Sequence, residues 1–306
     1  MVYDCFPFFN ELDLLKVRLQ LLSPVVDRFV VVEATTNQQG LAKPCWFEEH
    51  KKDFEPWIDR IIHIKVDDAP KLKFHNDWSI EFFQRNCILR ALTKCQPDDL
   101  IMISDVDEIP NPKILQNLSD YSLSLINKKQ GIVQSIKQFF RIFGTHAFLL
   151  RGKHTLSEAL EYISVSLEQD MFYYFMNLRA KNNGKWYGTV LCKYKNLSMP
   201  QKLRDFRNLQ PYIKNNVGWH FSYLGGIEKI KLKLRSIIES DNFRVPENFS
   251  SEDEYINFCL DTGRSLFEKT GSQYEYIKPD EIGINQINQI MENYPIFFRL
   301  KEKIYN

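Results

Sequence analysis

The sequence predicts an α/β fold, a doubly wound sheet that begins parallel, turns mixed and is followed by a helical extension. Three features carry that reading. Phe29–Val32, Ile61–Ile64 and Leu100–Ile103 are short runs rich in β-branched residues, and each reads as a strand buried on both faces. Segments of helical period lie between strands, and that alternation implies parallel neighbours. Further on, Asn183-Gly184 between two apolar segments is a hairpin signal, which brings antiparallel pairing into the sheet.

Taken in order, Val2–Phe9 reads as a strand and Asn10 as the N-cap of a helix over Glu11–Leu22. There Leu12, Leu15, Leu19 and Leu22 recur at helical spacing before Pro24. Phe29–Val32 and Ile61–Ile64 are the second and third strands. A helix within Trp78–Lys94 carries Ile80, Phe83, Cys87, Ile88 and Ala91 on one stripe and leads into the fourth strand, Leu100–Ile103. Ile132–Phe140 and Met171–Leu178 read as later strands, the second paired with Trp186–Tyr194 across the Asn183-Gly184 turn. Helical patterns at Ile227–Ile238, Glu252–Leu260 and Ile287–Leu300 close the chain, with no linker before them.

Composition narrows the function classes. The chain has 306 residues, 44% apolar and 26% charged, with 12 Gly and 13 Pro, which excludes disordered and collagen-like proteins. Its 40 Lys and Arg against 39 Asp and Glu leave a net charge of +1, so no broad positive field attracts nucleic acid. No apolar run reaches the length of a membrane span, and Met1-Val2-Tyr3-Asp4 is not a basic, apolar leader; a cytoplasmic chain without an anchor is the expectation. Cys5, Cys45, Cys87, Cys95, Cys192 and Cys259 show no CxxC spacing and are expected as reduced thiols, mostly in the core. The N-x-S sequons at Asn117, Asn196 and Asn248 are then chance matches.

The most informative segment is Leu100 to Pro110, an apolar strand that ends in Ser104-Asp105-Val106-Asp107-Glu108. In extended backbone, residues two apart point the same way, so Asp105 and Asp107 are expected to present carboxylates to one side. Two such acids repel unless a cation or proton lies between them, and the carboxyl end of a strand in an open α/β sheet is where ligands settle. Oxygen ligands suit Mg²⁺ or Mn²⁺, which in turn can hold a diphosphate. For an arbitrary D-x-D a solvated capping loop is the better reading; behind an all-apolar strand we favour the site.

Several blocks together resemble glycosyltransferase family 17. They are Tyr3 to Asp13 (Y-D-C-F-P-F-F-N-E-L-D), Val26 to Ala34 (V-D-R-F-V-V-V-E-A), Phe83-Gln84-Arg85-Asn86, Ser104 to Pro110 and Gly218 to Gly226 (G-W-H-F-S-Y-L-G-G). That family includes the β-1,4-mannosyl-glycoprotein β-1,4-N-acetylglucosaminyltransferases that add bisecting GlcNAc. The resemblance implies a GT-A-type, Rossmann-like mixed sheet flanked by helices, a catalytic domain over 1–240 and a helical C-terminal extension over 241–306 packed on it. It further implies a UDP-sugar donor (UDP-GlcNAc in characterised relatives), a Mn²⁺-type ion and inversion at the anomeric carbon. GT-A enzymes commonly complete the metal shell with a histidine from late in the domain, and His220 matches in position, giving Asp105, Asp107 and His220 as the metal set.

The remaining candidates are weighed against plainer roles. Asn10, Glu11 and Glu33 follow the first two strands, the edge where a nucleoside would lie; capping is the alternative. Arg85 is a clamp for phosphate or a partner for Asp105, against a surface arginine. With Asp105 these make the donor-binding set. Trp186, Tyr187, Trp219 and Tyr223 offer flat faces to an acceptor sugar, but for each alone the core is the commoner place. Lys229, Lys231, Lys233 and Arg235 read as a solvated helix face.

Inverting transfer is an in-line displacement in which an acceptor hydroxyl attacks the anomeric carbon as UDP leaves. A cation on the diphosphate and a carboxylate base are required, and Glu228 and Asp241 are the candidate bases. The acceptor is expected to be a glycan or glycoprotein, a β-linked mannose being one candidate. Two other classes stand beside this one. A Mg²⁺-dependent haloacid-dehalogenase-like phosphatase or phosphotransferase also ends a strand in D-x-D and uses its first Asp as nucleophile. A non-catalytic sugar-binding GT-A-like module would keep the fold without turnover.

Overall fold

The first part of the chain is written as largely apolar runs, and each becomes a strand of the parallel half of the sheet, with Ile61–Val66 at its edge. In the computed structural model, which describes residues 1–74, 77–124, 152–181, 184–238, 242–267 and 273–300, these are β1 (Val2–Phe8), β2 (Arg28–Ala34), β3 (Ile61–Val66) and β4 (Leu100–Ile103). All their pairings are parallel, in the order β4-β1-β2-β3. Alternate residues feed two separate cores. Phe6, Phe8, Phe29 and Val31 face one layer with Leu15 and Leu19, while Cys5, Val30, Val32, Ile101 and Ile103 face the other with Ile88. The helix Leu12–Leu22 covers the first face, and the helix Ser79–Asn86, continued as a 3₁₀ turn Cys87–Ala91, lies on the other.

The later strands are β5 (Glu108–Pro110), β6 (Val165–Tyr173), β7 (Leu178–Ala180), β8 (Lys185–Lys193), β9 (Tyr212–Ile213), β10 (Gly218–Ser222) and β11 (Tyr274–Tyr276). β8 joins the halves by pairing antiparallel with β4, and the main order reads β11-β7-β6-β8-β4-β1-β2-β3. This is the Rossmann-like mixed sheet flanked by helices that the sequence predicts.

Several expectations change in detail. The partner of β8 is a strand that begins at Val165, with register from Val165↔Leu191 to Asp170↔Lys185. The predicted Met171–Leu178 strand is in fact the end of β6, a bend at Tyr174 with φ +63°, and the start of β7. Glu11, not Asn10, occupies the N-cap of the first helix. Ile287–Leu300 is helical only over Ile287–Asn293, because Pro295 cannot continue the helix. The predicted strand Ile132–Phe140 and the candidate base Asp241 fall outside the described residues.

The segment after 241 is not a purely helical appendage. It contributes β11 to the sheet, and Ile277, Ile282, Ile284, Ile287, Ile290 and Phe297 enter the same core as Phe6 and Leu15. None of the six cysteines is in a disulfide, and four of them are buried. Among the described residues no helix is long and apolar enough to cross a membrane.

Candidate active site

Beyond β4 the backbone does not stay extended. The Glu108 amide donates to the Asp105 carbonyl (3.0 Å), closing a turn over Asp105–Glu108 before β5 begins. Arg18, on the first helix and completely buried, holds this turn from below. Its guanidinium makes two bonds to Asp4 (2.6 and 2.8 Å) and one to Ser104 Oγ (2.6 Å). It also donates to the carbonyls of Asp105, Val106 and Glu108 (3.1, 3.1 and 2.8 Å). Side-chain alternation therefore does not apply, and the two aspartates acquire different partners.

Asp105 lies between two arginines, with Arg85 Nη2 at 2.8 Å from Oδ1 and Arg204 Nη2 at 2.8 Å from Oδ2. Burial favours the neutral acid, but the guanidiniums of Arg204 and Arg85 outweigh it and hold the carboxyl well below the usual range. Arg204 also reaches Glu108 (2.9 Å), whose second oxygen takes the Asp105 amide (2.8 Å).

Asp107 points the other way. β10 lies antiparallel to β5 with His220 opposite Glu108, and the Phe221 amide donates to the Asp107 carbonyl (2.8 Å). Gly218 opens β10 at φ +148°, where a Cβ would come within 2.5 Å of the Ile109 carbonyl, so only glycine permits this approach. His220 Nε2 consequently stands 3.5 Å from Asp107 Oδ1, while Lys233 Nζ is 3.1 Å from Oδ2. Burial raises the Asp107 carboxyl, yet Lys233 and His220 hold it well below the ordinary range. His220 Nδ1 is buried without a partner, and the ring packs on Trp186 at 4.8 Å.

Asp107 opens into a cleft of about 740 Å³ between the Asn10–Leu14 segment and the helix Gly226–Leu234, with Phe221, Tyr223, Ile296 and Phe297 as walls. Tyr223 (φ +58°), Gly225 (φ +99°) and Gly226 (φ +81°) make the sharp bend that starts the helix beside the cleft. Lys229 and Lys233, one turn apart, both face inward; Lys229 Nζ donates to the Asn10 carbonyl (3.1 Å). Asn10 is buried, and its Nδ2 has no partner.

The other expected residues divide. Glu11 lines the cleft, but its carboxylate accepts the Phe9 and Asn10 amides (3.2 and 2.9 Å). Glu33 is wholly buried and accepts the Phe47 amide (2.9 Å) beside His63 (3.1 Å), a structural cap rather than a nucleoside contact. Trp186 bonds to Glu108 and Tyr187 to Glu168, while Trp219 is core, with Nε1 on the Ile282 carbonyl (2.7 Å). Of the four aromatic candidates, Tyr223 alone lines the cleft. Glu228 has an 81% exposed side chain, lies 3.8 Å from Lys231 and is not in the cleft wall.

The residues missed from sequence are Arg18, Arg204, Lys229 and Lys233. Arg18 had a signal, a charge on the apolar stripe of its helix, and Lys229 and Lys233 had another, their four-residue spacing next to a glycine-rich bend. Arg204 had none.

The expected trio of metal ligands is not assembled, since Asp105 is committed to its arginines; among the described residues no group of three His, Cys, Asp or Glu is arranged to hold an ion. Asp107 with His220 remains, a carboxylate and an imidazole of the kind Mn²⁺ accepts. Two side chains completed by substrate phosphate oxygens are an ordinary arrangement for Mg²⁺-type ions. The pair fits that use.

The resemblance read from the sequence is borne out. Residues 1–125 match the family model of glycosyltransferase family 17. The chain is 26% identical over 311 aligned residues to the β-1,4-mannosyl-glycoprotein 4-β-N-acetylglucosaminyltransferase of Rattus norvegicus, covering 97% of this chain and 53% of that protein. The Homo sapiens protein of the same name gives 25%, 97% and 54%. The chain thus spans about half the length of the curated relatives it matches. Among solved structures, the galactosyltransferase LgtC in complex with donor and acceptor sugar analogues aligns over 98% of both chains. Its identity is 11% and its TM-score 0.34, a likeness too slight to carry an argument.

Proposed function

We propose that this protein is an inverting glycosyltransferase that moves a sugar, GlcNAc, from a UDP-sugar to an acceptor hydroxyl, that of a β-linked mannose in a glycan or glycoprotein. One observation carries the reading. Asp107, held ionised beside His220, faces a cleft lined by Lys229, Lys233 and the unpaired Asn10 amide at the carboxyl ends of the parallel strands β1 and β4.

Each group has a task. Lys229, Lys233 and Asn10 offer ammonium and amide hydrogens to the donor diphosphate and hold it against the sheet edge. Asp107 and His220 would hold a divalent cation of the Mn²⁺ type, which would supply positive charge against the negative charge developing on departing UDP. Arg85, Arg204 and Arg18 fix the Asp105–Glu108 turn, so Asp107 does not reorient as that charge appears. Tyr223 gives a sugar ring an apolar wall. The phosphatase alternative requires a free nucleophile at Asp105, and that carboxylate is engaged on both oxygens by arginines.

The test is UDP release from UDP-GlcNAc with Mn²⁺ and a β-mannoside acceptor, beside UDP-galactose, UDP-glucose and a generic phosphate ester. Acceptor-dependent release from UDP-GlcNAc is expected. Hydrolysis of the ester alone would remove the reading, and UDP-sugar binding without release would leave a binding module.

A further inference from the structure

The side chain nearest the proposed cation seat is itself a cation. We infer that Lys233 makes divalent-ion binding at Asp107 conditional on the nucleotide: its ammonium holds the ion's place until the donor's diphosphate draws it away. This rests on the functional reading above and deepens it.

Lys233 Nζ is 3.1 Å from Asp107 Oδ2 and His220 Nε2 is 3.5 Å from Oδ1, so both oxygens of one carboxylate are faced by nitrogen. An ion held by Asp107 and His220 would share that carboxylate with the ammonium, and like charges beside one carboxylate repel strongly in a partly buried site. Lys233 packs over the Tyr223 ring at 4.9 Å. It also has somewhere to go, because the cleft that it lines continues to Lys229 and the unpaired Asn10 Nδ2, a set of donors suited to phosphate oxygens.

The cleft's charge argues for coupling as well. Glu11, Asp13 and Asp107 line it against Lys229 and Lys233, leaving one negative charge in excess. A diphosphate therefore enters favourably only with a cation, and the cation finds Asp107 free only once Lys233 has moved to the diphosphate. By linkage each tightens the binding of the other by the same factor.

The test reads free Mn²⁺ by electron paramagnetic resonance against the full chain, with and without UDP, for the wild type, Lys233→Met and Lys233→Arg. Methionine keeps an apolar stem on Tyr223, and thermal melts establish that each variant is folded. In the wild type, saturating UDP is expected to tighten Mn²⁺ binding at least about tenfold. Lys233→Met is expected to bind Mn²⁺ about tenfold more tightly than the wild type without nucleotide, with most of the UDP dependence gone, whereas Lys233→Arg keeps the wild-type pattern. Equal or weaker Mn²⁺ affinity of Lys233→Met without UDP overturns the inference. If sugar transfer and UDP-dependent Mn²⁺ binding persist beside that result, the glycosyltransferase reading survives; if no protein binds Mn²⁺ with or without UDP and none transfers sugar, both fall.

Discussion

Asp107 and Asp105 are two residues apart in the chain and opposite in consequence. Asp107 faces the cleft, and changing it to Asn keeps the volume while removing the charge that gathers His220 and Lys233. Loss of several kcal/mol of leaving-group stabilisation corresponds to a fall in kcat of about a thousandfold, beyond whatever stability is lost with its ion pairs. Turnover within tenfold of wild type in a UDP-release assay would take Asp107 out of the site. Asp105→Asn should instead cost about 2 kcal/mol of stability, since it weakens charged bonds to two nearly buried arginines. A pH dependence follows. Both carboxyls are depressed in the folded state, so the unfolded chain takes up protons first. Their stabilisation is complete above about pH 5 and is lost as pH falls through the unfolded value near 3.9 and below. Urea midpoints from pH 7 to 3 should fall less steeply for Asp105→Asn than for wild type, and parallel curves would refute the assignment. From sequence, the acids and His220 were legible because residue type and position after an apolar strand restrict their roles. Lys233 was harder to read, because Lys231 and Arg235 beside it make the run look like a solvated face and obscure its four-residue spacing from Lys229.

At the scale of elements, the site depends on a turn that one buried arginine organises. Arg18 and Asp4 are both completely buried, so Arg18→Met would leave the Asp4 carboxylate uncompensated and strip three carbonyls of a donor. The expected cost is about 3–5 kcal/mol in urea unfolding. The double variant Arg18→Met with Asp4→Leu should recover part of that stability but not sugar transfer, because the carbonyls of the turn stay unheld. Full recovery of transfer would show that Arg18 serves Asp4 alone. The parallel strands were readable because burial on both faces of β1, β2 and β4 leaves them few polar positions, Asp4 and Glu33 being buried exceptions. The D-x-D geometry was misjudged for a related reason: alternation holds only while the backbone is extended, and the Glu108 amide bond to Asp105 ends the extension one residue too early. The β6–β8 pairing was similarly displaced, since the apolar stretch Met171–Leu178, which spans the end of β6, a bend at Tyr174 and the start of β7, looks like one strand in a linear pattern.

For the molecule as a whole, the sequence suggested a boundary near residue 240 that the packing does not respect. Helical periodicity shows that a segment has a face to bury; it does not say what that face meets. Here Ile277, Ile282, Ile284, Ile287, Ile290, Phe297 and Phe298 are buried in the core beneath β1 and β2, and Trp219 donates to the Ile282 carbonyl. At about 1.5 kcal/mol or more for each buried side chain, their contribution is about 10 kcal/mol, comparable with the whole stability of an ordinary domain. Ile296 and Phe297 are also walls of the cleft, so shortening the chain would open the site as it exposes the core. A fragment of residues 1–240 is therefore expected to lose near-ultraviolet circular dichroism, to unfold without a cooperative urea transition and to show no protection by UDP with Mn²⁺. The full chain should unfold cooperatively and gain thermal stability with the same ligands. A fragment that melts cooperatively and is still protected would mean that the later segment is an appendage after all, and that the seat of the diphosphate is complete without it.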